Sequence, residues 1–282
     1  MKIFIHHVTT YHYVEAPKRI ALLLKLMPGG FASQRPIDWQ VSVNGEAVTE
    51  FKPNAFSDME ALWVSGERLE TVRIVAGGAV DTIDTSGILR GLDERLDPRV
   101  FLRETPLTEA SSEIRALADS IDTGDTLDWL HQLMAVLHER IDYRKGATNS
   151  ETTAAQAFTI GAGVCQDHAQ IFIAAARHKG IPARYISGYL LAGPDEELHE
   201  MHGWAEVLVP GLGWIGFDPS NKLCVTDNYI RLAGGLDAFE AAPIRGSVIG
   251  HTDIEIDADV RISENMIDMQ AQQSQMQQQS RG

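Results

Sequence analysis

The sequence predicts an α+β protein, and three observations carry that reading. The first hundred residues are runs of β-branched, aromatic and aliphatic residues closed by Gly or Asp turn signals. Helical apolar spacing begins only after Pro98. Short strand patterns return after Gly180. With 282 residues and 44% hydrophobic content, the chain can build one large or two modest cores.

In order, KIFIHHVTTYHYV, RIALLLKLMPGG, DWQVSVNG and ETVRIVAGGAVDTID read as strands, and Asn44-Gly45 is a tight-turn dipeptide. His6, His7 and His12 read as strand-surface histidines rather than a metal cluster, because no carboxylate or cysteine stands at ligand spacing. From Leu107 to Ile121, the positions Ile114, Leu117, Ala118 and Ile121 recur at helical spacing. A second helix follows Gly124, with Asp125 as N-cap and Leu127, Leu130, Met134, Leu137 and Ile141 as a core stripe. Thr152–Phe158 is a short helix broken by IGAG. The next helix starts at GVC and runs to about Lys179, with Gly180 past its end and Pro182 barring continuation. Then come a strand at ARYISGYLL, an acidic loop AGPDEELHE, a strand at MHGWAEVLV, a return strand at WIGFDPSNK and an alternating strand at TDIEIDADVRI. The Gln-rich tail reads as disordered.

Net charge is −15, which repels phosphates, so no nucleic-acid partner is expected. Two cysteines, Cys165 and Cys224, make no disulfide framework and fit a reducing compartment. The N-terminus lacks a signal-peptide pattern, and no apolar run approaches the ~20 residues that span a bilayer. The expectation is a soluble, cytoplasmic protein without a membrane partner.

Cys165 stands at a helix start, where the dipole and free backbone N–H groups favour thiolate and can hold an oxyanion. A buried structural cysteine suits the same position. His168, one turn along, shares its face but would crowd the sulfur, and reads as a support residue. His202 is the better base, and Asp218 on the return strand is its orienter. There is a condition. Pairing Val209 with Trp214 would set Asp218 opposite Ala205, facing away from His202. The hairpin must shift by one residue near Pro210–Gly213. Zinc ligation by some of Cys165, Asp167, His168, His178, His199 and His202 is the competing reading, but CxxC and HExxH are both missing, so no metal or other cofactor is expected.

Three stretches, GAGVCQDHAQIFIAAARHKGIPARYISGYL, HGWAEVLVPGLGWIGFDPSN and PIRG, resemble the bacterial transglutaminase-like cysteine protease family in order and content, over roughly residues 107–260. The β-rich region before them resembles the N-terminal domain that accompanies this core. The resemblance implies a β-sandwich-like domain at 1–104, a papain-like transglutaminase core at 105–264 with helices packed on an antiparallel sheet, and a tail at 265–282. It implies thiol acyl transfer on a peptide or protein amide, with Cys165 as nucleophile, His202 as base and Asp218 as orienter. The thioester would pass to water or to an amine. A peptide-binding module that keeps the fold without catalysis is the alternative. Gly203 stands where the family commonly has alanine, and the 235–243 segment lacks the family's arginine and tyrosine. Tyr143 and Gln156 are candidates for a second oxyanion donor. Trp204 and Trp214 either wall the cleft or pack behind it, Glu206 reads as structural, and Cys224 as an inert small hydrophobe.

Overall fold

The computed structural model describes residues 1–191, 201–250 and 252–264. Strands β1 (Lys2–Tyr13), β2 (Arg19–Met27), β3 (Gln34–Val43), β4 (Glu46–Ala47), β5 (Lys52–Pro53), β6 (Met59–Ser65) and β7 (Thr71–Thr82) come first. A 3-10 turn at Pro98–Leu102 leads to α1 (Ser112–Ser120) and α2 (Thr126–Arg140), then β8 (Asp142–Tyr143), α3 (Ala154–Ile160), β9 (Ala162–Gly163) and α4 (Cys165–His178). The chain continues through β10 (Ala183–Leu190), β11 (His202–Val209), β12 (Gly213–Asp218), β13 (Leu223–Cys224), β14 (Tyr229–Gly235), β15 (Ile244–Ile249) and β16 (Ile254–Ser263). No helix among the described residues is long and apolar enough to cross a membrane.

Two sheets form the β-rich part, in orders β16-β1-β7-β3-β4 and β15-β2-β6-β5. β1 shows why the sequence folds this way. Ile3, Ile5, His7, Thr9, Tyr11 and Tyr13 alternate inward, at the period of a strand with one buried face. They meet Leu22, Leu24, Val41, Val43, Val72, Ile74 and Val80 in one core. Each fully buried aliphatic side chain there contributes roughly 1.5–3 kcal/mol. Asn44 and Gly45 both take positive φ, 51° and 86°, and turn β3 into β4. His7 departs from the expected surface placement. It is buried between the Tyr189 hydroxyl and Thr9 Oγ1, each at 2.9 Å, and burial holds its pKa down at about 4.

The second core lies between α1–α4 and one face of the sheet β13-β12-β11-β10-β14. Ala183, Tyr185, Ala205, Val207, Ile215 and Phe217 present that face to α4. α4 is buried nearly all round, so its sequence shows apolar residues with little amphipathic contrast. α1 begins five residues later than its apolar spacing suggests. Thr108 is drawn into the core by Arg177 Nη1 at 2.6 Å, and Ser111 caps the helix by accepting from Ile114 N.

Residues 244–263 correct the expected boundary at 264. β15 pairs with β2 from Ile244↔Leu24 to Ile249↔Arg19, and β16 pairs with β1 from Phe4↔Ser263 to Tyr13↔Ile254. The last two strands therefore complete the N-terminal sheets, and the helical core is an insertion between strands of one β unit. The physical reason is that β1 and β2 each have an unfilled hydrogen-bonding edge that only these strands satisfy. The expected tail, the loop at 192–200 and His199 lie outside the described residues. A chain ending at Pro243 is expected to melt far below the intact chain by circular dichroism. A melting temperature within about 2 °C, equivalent to less than ~1 kcal/mol, would contradict this topology.

Candidate active site

α4 begins at Cys165, because Val164 is still extended at φ −115° and ψ −174°. As the first helical residue, Cys165 has an N–H without an intrahelical acceptor. Asp167 Oδ2 accepts from Val164 N at 2.8 Å and from Thr148 Oγ1 at 2.6 Å, and so fixes the turn that presents the cysteine. Its placement in the first turn also favours the helix dipole.

The β11–β12 hairpin has the shifted register. Val209 pairs with Gly213, Leu208 with Trp214 and Ala205 with Phe217. A three-residue loop, Pro210–Leu212, makes the shift, with Gly211 and Gly213 at φ +81° and +95°. Continuing the register sets Asp218 opposite Trp204, on the face that carries His202. His202 Nε2 donates to Asp218 Oδ2 at 2.6 Å. The ring's other partner is the Cys165 thiol. The order is thus thiol, imidazole, carboxylate, with the imidazole 8% and the carboxylate residue 0% exposed.

Asp218 gathers six donors. Oδ1 accepts from Ser220 N (3.0 Å), Ser220 Oγ (2.6 Å) and Asn221 N (3.2 Å). Oδ2 accepts from Asn221 Nδ2 (2.8 Å) and Tyr229 Oη (2.7 Å) as well as from His202. Burial opposes the charge on Asp218, yet the hydrogen bonds from His202, Ser220 and Tyr229 hold its pKa at about 2. Burial likewise opposes the charge on His202, but Asp218 and Cys165 raise its pKa to about 10. His202 therefore carries its proton through neutral pH.

The remaining predicted residues sort by their contacts. His168 is 1% exposed, with Nδ1 2.9 Å from Val164 O and Nε2 3.0 Å from Ile141 O. Both nitrogens are spent, so it braces the helix start. His178 faces Asp119 Oδ2 at 3.1 Å. Tyr143 on β8 is 50% exposed and pairs in parallel with Gly163, two residues before Cys165. Gln156 is exposed and takes Thr153 N on its Oε1 in the α3 cap, which spends that oxygen away from Cys165. Of the two roles open to Trp204 and Trp214, their surroundings fit packing. Trp204 is 1% exposed, stacked on His202 at 6.3 Å between centroids. Trp214 lies at the other end of β12 from Asp218, under Phe101 (5.0 Å) and Arg184 (4.0 Å). Glu206 is structural. It bridges Arg184 Nε at 2.6 Å and Arg231 Nε at 3.1 Å. Cys224 is half-buried, and burial raises its thiol pKa.

Sequence reasoning missed two tyrosines. Tyr229 binds Asp218, and its signal was weak because YIRLAGG has no alternation to mark it as a strand. Tyr185 is 4% exposed, with its hydroxyl against Gly203. A Cβ at position 203 would overlap that hydroxyl and stand 2.7 Å from Tyr185 Cζ. Glycine at 203 is thus required by the phenol beneath it. Burial, with the charges of Cys165, Asp167 and Asp218, keeps the phenol protonated.

Two outcomes are expected. Gly203→Ala should cost about 1–3 kcal/mol in chemical denaturation, as overpacking does. Part of the loss should return in the Gly203→Ala/Tyr185→Phe double variant, which lacks the overlapping oxygen. The His202 shift also has a sign. Its pKa rises on folding from the ordinary 6.5 to about 10, so its stabilisation is full below pH 6.5 and is lost as pH climbs toward 10. Asp218 contributes above the ordinary carboxylate pKa, and its share is lost as pH falls toward about 2. Stability measured from pH 6.5 to 10 should fall less steeply in His202→Gln than in the parent.

Residues 115–219 match the family model of the transglutaminase-like superfamily. Over 144 residues the chain is 32% identical to an uncharacterised protein of Mycobacterium tuberculosis, covering 46% of each chain. Over 129 residues it is 32% identical to an uncharacterised protein of Mycobacterium leprae, covering 44% of this chain and 46% of that one. The match thus spans about half the length of these curated relatives. A candidate cysteine protease from Cytophaga hutchinsonii has the same fold, with a TM-score of 0.72 at 24% identity over 93% of this chain and 90% of that one. The helices and the five-stranded sheet that bring Cys165, His202 and Asp218 together are a transglutaminase-like core, carried within an α+β chain whose first and last strands build a β-sandwich-like unit.

Proposed function

We propose that this protein is a cysteine-dependent amide hydrolase or acyltransferase acting on peptide or protein substrates. The observation that carries the reading is the Cys165–His202–Asp218 series, with half-buried Cys165 at the start of α4 beside buried His202 and Asp218. His202 as imidazolium pairs with the Cys165 thiolate, and the helix dipole adds to that charge balance. The sulfur attacks the amide carbon, and the carbonyl oxygen gains the negative charge. The Cys165 N–H then donates to that oxygen. His202 passes its proton to the departing amine nitrogen, the C–N bond breaks, and a thioester remains on Cys165. Asp218 holds Nε2 so that Nδ1 faces the sulfur throughout. Water or a second amine then attacks the thioester, His202 takes the proton from that nucleophile, and the free thiolate returns. The exposed Tyr143 phenol, beside Gly163, is the second donor proposed for the oxyanion.

Alkylation with iodoacetamide between pH 5 and 9 tests this reading. Cys165 should react through neutral pH, ahead of Cys224, whose thiol is raised by burial. His202→Ala should slow Cys165 alkylation near pH 6 by about 10²-fold, the lower end of what a positioned proton-transfer group contributes. Equal rates for the two cysteines, or no effect of His202→Ala, would sink the thiol reading and leave the peptide-binding module. With a trapped substrate in hand, Cys165→Ala should abolish turnover.

A further inference from the structure

Asp218 is held from three directions, and one of them has no counterpart in a bare thiol–imidazole–carboxylate series. Tyr229, the first residue of β14, reaches across to give its hydroxyl proton to Asp218 Oδ2 at 2.7 Å. That oxygen is the one His202 uses at 2.6 Å. The Tyr229 ring lies 5.9 Å from the imidazole at 60° and meets Trp204 edge-on at 5.4 Å. Tyr229 is 5% exposed, so this geometry is held by packing rather than by solvent. We propose that Tyr229 is a positioning residue for the His202–Asp218 pair, fixing Oδ2 in place and moderating the charge it presents to the imidazole.

The physical argument concerns one oxygen with three donors. A carboxylate oxygen shares its lone-pair density among the groups that donate to it, and each bond to a charged acceptor is strong. Tyr229 and Asn221 Nδ2 take part of that density. Without them, Oδ2 binds the imidazolium more tightly, and the ring releases its proton less readily. An imidazolium that cannot release its proton fails as the acid for the leaving amine. Burial and the Asp218 charge keep the phenol protonated, so Tyr229 stays a donor over the working range. The other groups facing the pair are Cys165 from α4, the Tyr185 hydroxyl from β10 at Gly203, and Ser220 and Asn221 after β12. Asp167 acts at one remove through its field on Tyr185, and His138 of α2 backs the loop through the carbonyl of Ser220 at 3.1 Å. Of these, only Asn221 also donates to Oδ2.

The catalytic consequence rests on the thiol reading above, but the titration does not. The full chain with Cys165→Ala, labelled with ¹⁵N-histidine, gives the His202 midpoint directly by NMR. Removing the sulfur also takes away its share of the upward shift. Adding Tyr229→Phe, which keeps the ring and its packing, should raise the midpoint by about half a unit or more. Asn221→Ala, at an exposed position on the same oxygen, should raise it in the same direction. Tyr189→Phe, an equally buried tyrosine bound to His7, should leave it unmoved. A midpoint that stays within about 0.1 unit or falls in Tyr229→Phe overturns the proposal. Should that variant not fold, an unmoved midpoint in Asn221→Ala overturns it as well. A raised midpoint alongside an unreactive Cys165 would keep Tyr229 as placed and remove the thiol reading instead.

Discussion

The hydrogen bond between His202 Nε2 and Asp218 Oδ2 is the constraint on which the site depends. It forms only because the Pro210–Leu212 loop has three residues, so that Asp218 shares a face with His202. A two-residue turn would carry the same sequence with the carboxylate aimed into the α4 side of the sheet. Six donors then hold Asp218 ionised in a place where an unpaired charge would be costly. The carboxylate in turn keeps the imidazole charged and faced to Cys165. Loop length, strand register and proton affinity are thus links of one chain of causes.

The same face of the sheet, farther along the strands from His202, carries a second polar arrangement with a different task. Arg184 bridges Glu206 at 2.6 Å and Glu94 at 2.9 Å, and Arg231 bridges Glu206 at 3.1 Å and Asp58 at 2.8 Å. Asp58 lies just before β6, so the network ties the β-sandwich-like unit to the core. Desolvation offsets most of the attraction in such buried pairs, whereas stranding one member costs several kcal/mol. Its effect is therefore on alignment: a core seated one residue away would leave a buried charge alone. Gln34 reinforces the seat by taking Arg231 N on Oε1 at 2.7 Å and giving Nε2 to Arg231 O at 2.9 Å.

Much of this was legible in the residues. Asp125 and Gly180 mark helix ends because caps and left-handed residues have local causes. The register of the hairpin was legible as a requirement, since only one parity lets Asp218 meet His202. What remained hidden is non-local. IRGSVI and YIRLAGG look like loop or mixed segments, and only the edges they fill make them strands. Tyr229 carries no motif, and its role comes from strand order, which places β14 beside β10 rather than beside its sequence neighbours. Which role Trp214 takes was hidden for the same reason. Proximity to Asp218 in sequence is not proximity in space along an extended strand, where each residue advances about 3.3 Å. The domain boundary was hidden because alternation shows that TDIEIDADVRI is a strand but not which sheet it joins.

That insertion bears on how the chain folds during synthesis. β1 and β2 are made early, yet the partners that cover their outer edges, β16 and β15, arrive more than two hundred residues later. Until then, two apolar strands present open hydrogen-bonding edges while the whole helical core is being made. Contacts of such long range are slow to close and leave the nascent chain open to intermolecular pairing. The arrangement that pairs strands from either side of the helical core makes assembly of both sheets wait for β15 and β16.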